Sequence, residues 1–265
     1  MTRRHRGWTA VMRPVVVGVD GSLRCEEGVR WAVGEARVRG VPLRRVHVAP
    51  SLEMQLPPRV RAQLGGELNL STNAGVLLVG RVAPTLLAIG ATAELVVLGL
   101  RGVGGHAGLR LGSVAQAVVA SCARPVALVP LRPQAKTLQH RPNKVTLAVD
   151  AHNVADAAVD FAFDAAQCRK AAVRALYLGT GSEGPGWERA AGGLLTEALQ
   201  PWREKYPATR VRAAACRAAA PVEALARASA GSQMLVVGRH HSGALSPMVQ
   251  ALLCVGQCPV VVVPA

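Results

Sequence analysis

Residues 94–130 read ELVVLGLRGVGGHAGLRLGSVAQAVVASCARPVALVP, and the order of their signals decides the fold. Leu95 to Leu98 is a short apolar run ended by Gly99, the pattern of a strand covered on both faces. Further glycines follow at 102, 104, 105, 108 and 112. Ser113 stands at a helix N-cap position, ahead of Val114, Ala117, Val118 and Ser121 at helical spacing. Pro125 then opens a second apolar run, Val126 to Val129. The stretch reads strand, glycine loop, helix, strand. A glycine loop running from a strand's carboxyl end into a helix aims several backbone N–H groups at one point. The helix dipole adds to the attraction, so this is a place to hold phosphates.

Upstream, the same alternation of elements recurs. Val15 to Val19 predicts a buried strand leaving through the turn Asp20-Gly21-Ser22. Glu26 to Arg39 carries Val29, Ala32, Val33 and Ala36 on one helical face, and Gly40 closes it. Arg45 to Ala49 and Leu77 to Val79 are short strands. Arg59 to Leu70 forms a short helix after the break at Pro57-Pro58, and Pro84 opens another. Strands alternating with helices, the strands being continuously apolar, predict an α/β fold built on a doubly wound parallel sheet.

The second half repeats the first. Val145 to Val149 leads to Asp150 as Val15 to Val19 leads to Asp20. Pro221 matches Pro84, Leu235 to Gly238 matches Val96 to Gly99, and Pro259 to Pro264 matches Pro125 to Pro130. Four landmarks in one order, each displaced by about 130–140 residues, indicate a tandem duplication. The expected organisation is a basic extension over 1–11, a first domain over 12–131, a linker over 132–142 and a second domain over 143–265. The fold class is therefore two tandem doubly wound, Rossmann-like domains.

Composition narrows the function. Half of the chain is apolar but only 3% is aromatic, so the core must be built from Val, Leu and Ala. No apolar run approaches the roughly 18 residues of a membrane span. The basic start lacks a signal peptide's apolar stretch, so a soluble, cytoplasmic protein is expected. The six cysteines are scattered rather than arranged as a secreted framework. The net charge of +15 comes from 31 basic against 16 acidic residues. It admits a nucleic-acid partner, but the arginines are dispersed and stacking aromatics are nearly absent, which argues against that role.

VVVGVDGS at the first strand, together with G-x2-G-x9-G-[S/T] at Gly99, Gly102, Gly112 and Ser113, resembles the universal stress protein (UspA-like) family. The resemblance spans both halves. It implies ATP as ligand, with or without Mg2+. Asp20 would contact the adenosine part, with Gly18 and Val48 at the neighbouring family positions. Leu98 would line the base or ribose. Gly99 and Gly102 would let the backbone approach the phosphates, and Gly112, Ser113 and Val114 would present N–H groups with the Ser113 hydroxyl. Glycine suits such a loop because a Cβ blocks positive φ and holds a phosphate away. No Gly-Lys-Ser/Thr of a Walker loop is present.

The resemblance also implies that the final strands of the two halves pair, giving an internal pseudo-dimer. A homodimer of whole chains is left open. The regulatory reading is that nucleotide in the first domain controls an unidentified protein partner. The alternatives are a nucleotide-free interaction scaffold and, behind it, a basic nucleic-acid-associated protein. No nucleophile stands on a G-x-S-x-G elbow, so no dedicated catalysis is expected beyond slow ATP hydrolysis.

The second half departs from the pattern. Asp150 is followed by Ala-His-Asn, His241 replaces the second glycine, and Ser246-Pro247 replaces Gly-Ser after a loop five residues shorter. Proline at the helix start removes a donor, so this half is expected to bind ATP poorly or not at all. Cys254 and Cys258, with His240 and His241 near in sequence, raise the question of a zinc site. Packing in a small-residue core explains the cysteines as well, and no metal is assigned.

Overall fold

The computed structural model describes residues 12–51, 55–65, 75–100, 111–131, 143–149, 155–179, 184–217, 220–239 and 245–265. The first half runs β1 (Val15–Gly18), α1 (Leu23–Arg39), β2 (Leu43–Ala49), α2 (Pro58–Leu64), β3 (Gly75–Val79), α3 (Val82–Gly90), β4 (Leu95–Gly99), α4 (Ser113–Ser121) and β5 (Val126–Val129). The second runs β6 (Lys144–Val149), α5 (Asp156–Arg169), β7 (Ala172–Gly179), α6 (Trp187–Ala198), α7 (Gln200–Lys205), β8 (Val211–Arg217), α8 (Pro221–Ala230), β9 (Met234–Gly238), α9 (Pro247–Val255) and β10 (Val260–Val263).

The strands form one ten-stranded sheet in the order β3-β2-β1-β4-β5-β10-β9-β6-β7-β8. Within each half every pairing is parallel. The halves join through β5 and β10, which run antiparallel with Ala127 opposite Val261. The pairing of final strands expected above is thus present, and each strand covers an apolar edge that the other half would otherwise expose.

Alternation along the strands sorts the core onto two faces. Val15, Val17, Leu95, Val97, Val145 and Leu147 face α1 and α5, where Ala32, Ala36, Ala158, Ala162 and Ala166 allow close approach. Val16, Val96, Leu98, Val126, Leu235 and Val237 face α3, α4, α8 and α9. Burial on both faces explains why these strands read as unbroken apolar runs. On the first face α1 and α5 are bridged by ion pairs. Glu35 accepts from Arg39 at 2.5 Å and also pairs with Arg169, while Arg39 reaches Asp164 at 2.9 Å.

Several boundaries differ from the sequence reading. Helix α1 begins at Leu23 rather than Glu26, because the Ser22 hydroxyl caps it by accepting the Cys25 N–H at 3.1 Å. Helix α3 begins at Val82, upstream of Pro84. Helix α2 ends at Leu64, where Gly65 adopts φ 99°. At α4 the cap position falls on Gly112 and Ser113 is the first helical residue, so the expected serine cap is corrected by one position. Among the described residues no helix is long and apolar enough to cross a membrane.

Candidate functional site

The strand order of the first half reverses between β1 and β4, which pair with Val17 opposite Val97. From β1 the chain crosses to β2 and β3 on one side, and β5 lies on the other. A crevice outside the carboxyl ends of such a pair is where ligands bind open parallel sheets. The sheet brings Gly18, Asp20, Val48, Leu98 and Gly99 to this end, with Gly112, Ser113 and Val114 at the start of α4. Gly102, and with it Arg101, His106 and Arg110, lies outside the described residues.

At the β1 exit the chain turns tightly. Asp20 Oδ1 accepts the Ser22 N–H at 2.9 Å, and Gly21 takes φ 85°. Helix α2 is docked on this turn by the polar side chain of Gln63 and by apolar packing. Gln63 accepts the Gly21 N–H at 2.8 Å and donates to the Ser22 carbonyl at 2.9 Å, and Val60 and Leu64 pack with Val19 and Cys25 beneath it. The Cys25 thiol donates to the Gly18 carbonyl at 3.4 Å, and burial pushes its pKa up to about 12. It is therefore a packed, protonated thiol rather than a nucleophile.

The glycines have separable roles. Gly18, Gly99 and Gly112 all have ordinary negative φ, so left-handed backbone is not what calls for glycine there. A Cβ on Gly18 would lie 2.6 Å from Leu98 Cδ2, so at that position the requirement is packing against Leu98. Leu98 is 6% exposed and Val48 7%, which leaves little side-chain surface from either for a ligand.

The polar feature of the site is the start of α4. Gly112 donates its N–H to the Leu100 carbonyl at 2.8 Å, closing the base of the glycine loop. Among the described residues no side chain caps this helix. The first N–H groups of a helix have no intrahelical acceptor, so Ser113 and Val114 present donors at the positive end of the helix dipole. Oxygen-rich anions fit that arrangement.

The second half treats the equivalent place differently. Ser246 caps α9, its hydroxyl accepting the Val249 N–H at 3.2 Å, and Pro247 supplies no N–H at the first helical position. Ala148 stands where β1 has Gly18, and a Cβ on Gly238 would lie 2.7 Å from Ala155 Cβ. Asp150, His240 and His241 lie outside the described residues. Cys258 lies beyond the end of α9, is fully buried and donates to the Pro259 carbonyl at 3.5 Å. Among the described residues no three His, Cys, Asp or Glu side chains gather as metal ligands.

Sequence reasoning missed Gln63 and Arg239. Gln63 acts 41 and 42 residues from its partners, and no local pattern marks it. Arg239, one residue beyond β9, donates to the Val119 carbonyl of α4 at 2.7 Å and so ties the second half to the helix that frames the first-half site.

A profile of the universal stress protein family matches residues 12–74 and 73–130 of this chain. The second half lies outside those segments and carries the same strand arrangement. A universal stress protein of Mycobacterium tuberculosis is 30% identical over 94% of this chain and 96% of its own length. The crystal structure of a universal stress protein from Archaeoglobus fulgidus superposes with a TM-score of 0.66 at 14% identity, over 96% of this chain and 99% of that one. A further universal stress protein of Archaeoglobus fulgidus, solved in complex with dAMP, is 26% identical over 45% of this chain and 98% of its own, with a TM-score of 0.35.

Proposed function

The chain belongs to the universal stress protein family as a tandem member, and from that premise we propose that its first half binds ATP and its second half does not. Membership places the chain among stress-response proteins. One observation carries the assignment of the ligand to the first half. Helix α4 starts at the strand-order reversal with no side-chain cap among the described residues, whereas α9 starts with a serine cap and a proline. The dAMP complex is a property of that relative; the reading here rests on the α4 terminus.

In this reading Ser113 and Val114 hold phosphate oxygens through their N–H groups, and Mg2+ accompanies the nucleotide. Gly112 admits the close approach, and Gly99 and Gly102 shape the loop. Asp20, with Gly18, Val48 and Leu98 around it, borders the adenosine. The units are 12–131 and 143–265, joined by 132–142, with 1–11 as an extension, in a cytoplasmic protein. Nucleotide occupancy acts on α4, whose Val119 carbonyl is held by Arg239, and so alters a surface shared by both halves that a protein partner reads.

A second reading, a nucleotide-free scaffold, is favoured by two contacts on the adenosine side. Gln63 holds α2 onto the β1 turn, and Leu98 covers Gly18. The test begins with protein purified without added nucleotide, denatured, and assayed for any nucleotide released. ATP is then titrated into wild type and into Gly112→Val/Ser113→Ala. Binding by wild type that is lost in the variant supports the first reading. A wild type that neither carries nor takes up ATP leaves the scaffold.

A further inference from the structure

The second half contains a cavity of about 670 Å3 at the carboxyl ends of β6, β7 and β9, between the first turns of α5 and α9. It occupies the place in its half that the candidate nucleotide site occupies in the other. Its chemistry is different. The floor is Leu147 and Ala148, and the walls include Leu178 from β7, Leu225 from α8 and Val237 from β9.

In the first half Leu98 and Leu86 reach over Gly18, both within 4 Å of where its Cβ would be. In the second half the counterpart of Leu98 is Val237, one methylene shorter. Ala148 carries the methyl that Gly18 lacks, so the two pairs hold equal numbers of carbons and differ in where the bulk lies.

The polar groups among the described residues offer a polyphosphate little. Ser246 engages its own helix by accepting the Val249 N–H, and Pro247 offers no donor, so α9 has no free first-turn pair to give an anion. Arg239 is the one basic side chain among the described lining residues, and it donates to the Val119 carbonyl in the first half. Asp156, also in the lining, offsets its charge. A cavity of this volume, with a described lining that is mostly apolar, suits a compact ligand held by shape and desolvation.

We infer that this cavity binds one uncharged, largely apolar small molecule and not a nucleotide. The two halves of the chain then read two unlike ligands at equivalent places. The inference stands on the second half alone and survives if the first half proves not to bind ATP.

The experiment uses the full-length protein and the neutral fluorophore N-phenyl-1-naphthylamine, whose emission rises in apolar surroundings. Saturable binding of one probe per chain is expected. Ala148→Phe, which fills the floor, is expected to weaken it at least tenfold. Should that buried change disturb folding, Met248→Glu tests the same point from the rim, where Met248 is 42% exposed and lines the cavity. A charge there is expected to weaken the probe several-fold while the circular dichroism spectrum is unchanged. Millimolar ATP should leave probe binding intact. No saturable binding overturns the inference, as does displacement by ATP, or wild-type affinity in a folded Met248→Glu protein.

Discussion

Glu35→Ala is expected to be among the most damaging single changes in the chain, although Glu35 lies outside both candidate sites. Its carboxylate is 2% exposed and serves two cations, Arg39 at 2.5 Å within α1 and Arg169 from α5. Burial lowers the Arg169 pKa to about 10, a measure of how costly its charge is in this place. Arg39 is 6% exposed, sits 4.7 Å over the Phe161 ring and keeps Asp164 at 2.9 Å, yet its Nη2 is buried with no partner among the described residues. Removing the carboxylate leaves Arg169 without this anion and Arg39 with two part-exposed anions, Asp164 at 2.9 Å and Glu94 at 3.6 Å. Breaking a buried pair in this way costs about 3–5 kcal/mol. At about 2–4 °C per kcal/mol for a chain of this size, the thermal midpoint should fall by about 6–20 °C. The assay is thermal and urea unfolding followed by circular dichroism. Replacing the set together, Glu35→Leu/Arg39→Met/Arg169→Met, should recover most of the loss, because no buried charge is then left alone. A Glu35→Ala protein within about 1 kcal/mol of wild type would refute the reasoning, since a solvated surface pair behaves that way.

Two further outcomes follow from local features. Lys170 ends α5 at φ 53°, where the first half has Gly40 at φ 65°. Left-handed backbone costs a side-chain-bearing residue about 1–2 kcal/mol, and glycine returns part of that as chain entropy, about 0.5–1 kcal/mol. Lys170→Gly should therefore raise stability by about 0.5–1 kcal/mol in urea unfolding; a decrease would contradict the account. Cys25, raised from 9.0 to about 12 by burial, binds its proton more tightly folded than unfolded. Its contribution to stability is thus full below pH 9 and is lost as pH rises through about 12. Native protein at pH 8 should resist iodoacetamide at Cys25 until it unfolds, as read by peptide mass spectrometry; rapid native labelling would contradict the burial argument.

What could be read from the sequence divides along physical lines. Strands buried on both faces announce themselves, so Val126 to Val129 and Val145 to Val149 were placed within a residue. The duplication was visible because each half must repeat the same exits and turns to build the same half-sheet. Helix starts were less clear, because the cap depends on which hydroxyl reaches a free N–H. Ser22 does so at α1, while at α4 the backbone of Gly112 turns instead. The site was legible as a place more than as a set of contacts. The glycine spacing located the α4 terminus, but the Gly112 N–H closes the loop onto Leu100, and Gly18 makes room for Leu98. Contacts distant in sequence, such as Gln63 on the β1 turn, Arg239 on Val119 and Glu35 on Arg169, leave no local periodicity and had to be seen.

The two halves of one architecture differ in what the first turn of a single helix offers: N–H groups with no side-chain cap among the described residues at α4, and a capped, proline-started turn at α9. Equilibrium dialysis of the full-length protein against ATP and Mg2+ tests it most directly. The account predicts saturation at one ATP per chain in wild type and none in Gly112→Val/Ser113→Ala. Two ATP per chain, or one that persists in that variant, would contradict it.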